Sequence, residues 1–103
     1  MIRVINVRKE FSTVYLGREM KWHRQSPWHN PFHIGPDGDR QAVIEKFAVY
    51  FYAPEQKWLR DKAVVEIPFD AVLGCWCTPF PCHAEIVAGY LNWKRVCYPN
   101  DAF

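Results

Sequence analysis

Two short runs decide what this chain can build. Residues 2–7 (Ile-Arg-Val-Ile-Asn-Val) and 71–75 (Ala-Val-Leu-Gly-Cys) carry β-branched or apolar side chains on both alternating faces, with Asn6 a polar interruption. A strand that is apolar on both faces is covered on both sides, as strands of parallel sheets are. The first run reads as a central strand and the second as another inner strand. A third short strand is expected over residues 13–17, where Thr-Val-Tyr-Leu ends at Gly17 with Arg18 just beyond.

The intervening segments supply the crossovers. Asp39 can cap a helix over 40–52, in which Val43, Ile44, Phe47, Ala48 and Phe51 recur at helical spacing before Pro54. Residues 55–62 suit a short second helix with Trp58 and Leu59 turned inward. Residues 63–67 alternate like an edge strand stopped by Pro68. Pro81 can open a last helix that runs to about Lys94, with His83, Ile86, Val87, Tyr90 and Leu91 on one face. Residues 19–38 keep no period. Five prolines and glycines break every candidate there, yet Trp22, His23, Trp28, His29, Phe32 and His33 make the stretch too aromatic for disorder. It is expected to fold down over something. The sum is a single α/β domain over 1–103, with 95–103 a C-terminal tail. Its sheet has three or four mostly parallel strands, flanked by two or three helices.

At 103 residues the chain can bury one core. Its formal charge of +2 is spread along the sequence rather than gathered in a stripe, which argues against duplex DNA as a partner. No stretch approaches the roughly 18 apolar residues of a membrane span. The N-terminus is too short and polar for a signal peptide, so a cytoplasmic protein with reduced thiols is expected.

Chemistry concentrates just after the inner strand. In Leu73-Gly-Cys-Trp-Cys-Thr-Pro-Phe-Pro-Cys-His-Ala84, three of the four cysteines and one of the four histidines fall between Cys75 and His83. Cys75, Cys77, Cys82 and His83 are ligands of the type zinc prefers. Their spacing is not that of two separated knuckles, and adjacent helical residues project about 100° apart. A reactive thiol is the second reading: Cys82 in a first helical turn, where the dipole lowers a thiol pKa, with His83 beside it as catalytic partner. In the third, the sulfurs are small buried apolar groups and His83 is a satisfied core histidine.

In parallel sheets, ligands collect beyond the carboxyl ends of the strands. Arg8 and Arg18 follow strands and Arg40 opens a helix, so three guanidiniums can reach one rim and hold a phosphate. A helix starting at Arg40 or Pro81 would add N–H donors. Arg40 sits against the positive end of its helix dipole, which calls for an acidic partner or an anion. Asn30 and Asp39 can bond a ribose or base edge, and Tyr15, Trp28 or Phe32 can stack on a ring, although Trp22, Trp28 and Trp58 read first as packing anchors. A nucleotide-like or phosphate-bearing small ligand follows, serving nucleotide or nucleic-acid metabolism. The alternative is a non-catalytic interaction protein that inhibits a host protein through exposed aromatics, with the Cys-rich turn structural.

Val4-Ile-Asn-Val-Arg8, Val14-Tyr-Leu-Gly-Arg18, Ser26-Pro-Trp-His-Asn-Pro-Phe32, Gly38-Asp-Arg40 and the Gly-Cys-Trp-Cys…Pro-Cys-His block follow one another in an order and spacing similar to a known family. Nearly the whole chain thus resembles the domain of unknown function 4326, small proteins found in phages and bacteria. The resemblance implies a fold and a site location, and no activity.

Overall fold

The computed structural model describes residues 2–98. Strands β1 (Arg3–Asn6), β2 (Val14–Tyr15) and β3 (Val72–Cys75) form one parallel sheet in the order β1-β3-β2. Helices α1 (Arg40–Tyr52), α2 (Lys57–Glu66) and α3 (Ala84–Cys97) complete the small α/β fold. The central strand is therefore β3, which pairs on both sides, and β1 is an edge covered by α3.

Residues 7–13 carry the chain from β1 across β3 to β2 without a helix. They can be short because β1 ends level with Cys75 while β2 begins level with Leu73. Val7 N–H donates to Cys75 O at 3.0 Å and Thr13 N–H to Val72 O at 2.9 Å, so the crossover is tied down at both ends. It lies directly over Gly74: a Cβ there would sit 2.5 Å from both Ser12 Oγ and Val7 Cγ1.

The helices meet in an aromatic core. α1 turns Val43, Phe47 and Phe51 inward, and Phe51 meets Tyr90 of α3 edge-on at 5.6 Å. Asp39 caps α1 as expected, its carboxylate accepting Ala42 N–H at 2.9 Å. At the other end Arg60 donates to Phe51 O and Ala53 O.

Residues 63–67 are not an edge strand. Residues 63–66 complete α2, with Leu59 and Ala63 buried one turn apart and Ile67 buried just beyond. The carbonyls of Val64, Ile67 and Pro68 at its exit all accept from Arg95 of α3. Long-range capping by Arg95 thus overrides the β-branched alternation of Ala-Val-Val. Helical phase also corrects Trp58: with Leu59 inward, its neighbour Trp58 is 57% exposed. The last helix starts at Ala84 rather than Pro81 and extends to Cys97, so Arg95, Val96 and Cys97 belong to α3 rather than to a tail. The rest of the expected tail, 99–103, lies outside the described residues. No helix among the described residues is long and apolar enough to cross a membrane.

Gly74→Ala is expected to cost about 1–3 kcal/mol of stability by overpacking the crossover. Gly89→Ala, at an exposed α3 position with nothing within 4 Å, should instead gain about 0.5–1 kcal/mol. Urea denaturation of the two variants measures both signs.

Candidate functional site

The strand carboxyl ends open into a cavity of about 220 Å³. Its first wall follows from β2, whose Tyr15 folds back over Gly17. The Tyr15 hydroxyl donates to Arg18 O at 2.6 Å and accepts Trp76 Nε1–H at 2.8 Å, joining the ends of β2 and β3. A Cβ on Gly17 would fall 2.1 Å from that hydroxyl oxygen, so the turn admits only glycine without moving the ring.

The second wall is Cys75, Trp76 and Cys77, which continue β3 into the turn. Asn6, the polar interruption of β1, holds this turn by donating to Trp76 O and Thr78 O, the latter at 2.8 Å. Sequence reasoning gave Asn6 no role at the site; its only signal was a polar residue in an otherwise apolar strand. The first turns of α1 contribute Arg40, Val43 and Ile44, and the long loop contributes Met20, Asn30, Phe32 and Ile34. Cys82 and His83, at the entry of α3, close the bottom.

Residues 19–38 do fold down. Trp28 anchors them: it is 4% exposed and its ring N–H donates to Leu59 O at 3.0 Å. Asn30, also buried, donates to Val43 O and accepts Phe32 N–H. Arg18 gives one guanidinium nitrogen to the carbonyls of Asn30 and Phe32, at 2.7 and 2.6 Å. Its Nε is buried with no hydrogen-bond partner.

Of the residues expected at a ligand site, Tyr15, Arg18, Asn30 and Arg40 line the cavity together with Cys75, Cys77, Cys82 and His83. Three do not. Arg8 is exposed and lies over the Trp76 ring at 5.3 Å, outside the lining. Trp28 is spent in the core, and Asp39 on capping α1. The α1 N-terminus is therefore answered by a carboxylate, and positive charge comes from guanidiniums instead. Arg40 reaches Pro81 O at 3.4 Å and lies over Phe80 at 5.2 Å. Among the described residues, neither Arg18 nor Arg40 has a carboxylate within ion-pair distance.

Three thiols meet on one wall. Cys75, Cys77 and Cys82 all line the cavity, Cys75 Sγ lies 3.3 Å from Thr78 Oγ1, and Cys82 Sγ lies 3.5 Å from His83 Nδ1. Hydrogen-bonding from its S–H toward the Cys75 and Cys77 sulfurs, and burial, push the Cys82 thiol far up. The same bond from Cys82 lowers Cys75 to about 5 and Cys77 to about 6. Charge on Cys75 raises Cys77, so the two thiols compete to ionise, and the Arg40 guanidinium adds to the lowering of Cys77. Cys82 lies ahead of α3 and not in its first turn; the Ala84 N–H at the helix start lowers its thiol, but its sulfur neighbours and burial outweigh that effect.

His83 is a neutral buried ring. Its Nε2–H donates to Leu16 O at 2.7 Å, leaving Nδ1 as acceptor facing Cys82 Sγ at 3.5 Å. Burial lowers its pKa to about 4, with Arg18 and His29 adding repulsion. Among the described residues no group of three or more His, Cys, Asp or Glu is arranged to hold a metal ion.

Folded His83 takes its proton near pH 4 and unfolded His83 near 6.5. Between these values the unfolded chain binds more protons, so the contribution is complete above pH 6.5 and lost as pH falls toward 4. From pH 7 to 4.5 this should remove about 2–3 kcal/mol. Urea denaturation of wild type and His83→Gln at both pH values checks it, the variant losing less.

No solved structure matches this chain. It is similar to an uncharacterised 12.4 kDa protein in the nrdA-td intergenic region of Enterobacteria phage T4, with 34% identity over 93 residues, 89% of this chain and 79% of the phage protein. A family described as a domain of unknown function, DUF4326, matches residues 4–93, which takes in both sheet edges, the cavity walls and most of α3. The chain belongs to that family.

Proposed function

We propose that this protein binds a small anionic, nucleotide-like or phosphate-bearing ligand in the cavity at the strand ends. One observation carries the reading: Arg18 and Arg40, from segments far apart in sequence, line one cavity and neither has a carboxylate partner among the described residues. A partly desolvated guanidinium without a counter-charge is costly to hold, and an anion supplies what is missing. The apolar remainder of the lining, Val43, Ile44, Phe32 and Ile34, suits a flat ring. A volume of about 220 Å³ lies below the usual drug-sized range of roughly 300–1,000 Å³. It favours a sugar phosphate or a single base with its phosphate at the rim, rather than a dinucleotide.

A second reading has its own support. Phe11 is 100% and Trp22 83% exposed, and Phe69, Phe80 and Trp93 are also largely open. Such rings are the anchors by which a non-catalytic protein holds a protein partner. The rings are dispersed over several elements, whereas the guanidiniums converge, so the ligand reading leads.

Inorganic phosphate, ribose 5-phosphate and nucleoside monophosphates in a thermal-shift series test it. A ligand at a hundredfold excess over its Kd should stabilise the protein by about 2.7 kcal/mol. Arg40→Gln should weaken that ligand by about 1.5–3 kcal/mol, tenfold or more in Kd. No shift with any of them, together with a stable complex with a host protein, favours the second reading.

A further inference from the structure

Cys77 differs from its two sulfur neighbours in access. Cys75 and Cys82 are each 2% exposed, whereas Cys77 is only half-buried and lines the cavity. Arg40, the same guanidinium that faces the ligand space, lines the cavity with it and adds to the lowering of its thiol pKa. An accessible sulfur that shares an apolar cavity with an unpaired cation has the surroundings of a nucleophile. Cys82, the other candidate, keeps its proton behind it. We propose that Cys77 is the nucleophile of this cavity, adding its sulfur to an electrophilic carbon of the anionic ligand held by Arg18 and Arg40. The proposal rests on the ligand-binding reading above and adds the class of substrate: an anion bearing an sp² carbon bonded to oxygen or nitrogen.

In that step the thiolate electron pair forms the S–C bond. The displaced π pair moves onto the heteroatom, which takes a proton from water. Nothing is oxidised or reduced. Cys82 then serves as the neutral donor that holds the thiolate, and Arg40 both stabilises the sulfur anion and attracts the substrate's charge. Cys97, exposed near the end of α3, is a built-in reference thiol.

The test uses two reagents of one chemistry, iodoacetate and iodoacetamide, in which the S–C bond forms and iodide leaves. Labelling of the intact protein is followed at each cysteine by peptide mass mapping from pH 5.5 to 9. Cys77 should reach its maximal rate by about pH 7, earlier than Cys97. The anionic reagent should be favoured at Cys77, with an iodoacetate-to-iodoacetamide rate ratio at least tenfold above that at Cys97. Arg40→Gln should abolish that preference and move the Cys77 profile to higher pH. Cys77→Ser, a near-isosteric change on a half-buried side chain, should remove the fast phase alone. A Cys77 profile and reagent ratio equal to those of Cys97 would overturn the proposal. If nucleoside monophosphates stabilise the protein and Cys77 still shows no preference, binding stands and the nucleophile falls. If Cys77 shows the preference but no phosphate-bearing compound slows its labelling or shifts stability, the binding reading falls and the substrate assignment with it.

Discussion

Everything at the strand ends depends on a close approach at Gly74. Parallel strands ordinarily need a crossover of a dozen or more residues, usually with a helix. Here residues 7–13 span from β1 to β2 over the face of β3, with Val7 and Ser12 packed where a side chain on Gly74 would be. Because β1 and β2 both pair parallel to β3, their carboxyl ends open on the same side. Asn6, Arg18 and Cys75 are thereby neighbours of one turn. Tyr15 and Trp76 then lock β2 to β3 beyond the last ladder hydrogen bond.

Sulfur, imidazole and guanidinium share this small volume under strict proton accounting. His83 is held neutral by burial and by donating to Leu16 O. It therefore offers Cys82 an acceptor and no positive charge. Arg40 is thus the cation of the cavity that lowers a thiol, at Cys77. The cluster is graded by position: raised and enclosed at Cys82, lowered and accessible at Cys77.

Local signals were sufficient for the parts that local physics decides. α1 runs from Arg40 to Tyr52, as Asp39, the apolar spacing and Pro54 indicate. The Gly-Cys-Trp-Cys turn does follow an inner strand. What failed was decided at long range. Residues 63–67 read as a strand because the partner that makes them helical, Arg95, is about thirty residues away and bonds carbonyls that every sequence possesses. Trp28 could be read as a packing anchor or a stacking platform, because nothing local reveals that Leu59 O accepts its ring N–H. Arg8 follows β1 as Arg18 follows β2, but the crossover turns immediately after β1 and leaves Arg8 on the outer side of Trp76. Cys82 lost its helical turn because the chain stays irregular until Ala84, two residues beyond it.

The two cavity arginines are not equivalent, and the difference bears on what the site is for. Arg18 is partly committed to scaffold: one guanidinium nitrogen bonds Asn30 O and Phe32 O and holds the long loop against the strand ends, while its buried Nε has no partner. Loss of Arg18 would loosen the wall as well as remove charge, so a weakened ligand in that variant would not separate binding from folding. Arg40 makes one long bond to Pro81 O and rests over Phe80, contacts that hold no element in place. It also sits at the helix end where a cation is disfavoured by about 0.3–1 kcal/mol. A fold optimised only for stability gains little from a cation there. Its place beside Cys77, at the mouth of an otherwise apolar cavity, is accounted for by a negative charge that it meets when the cavity is filled.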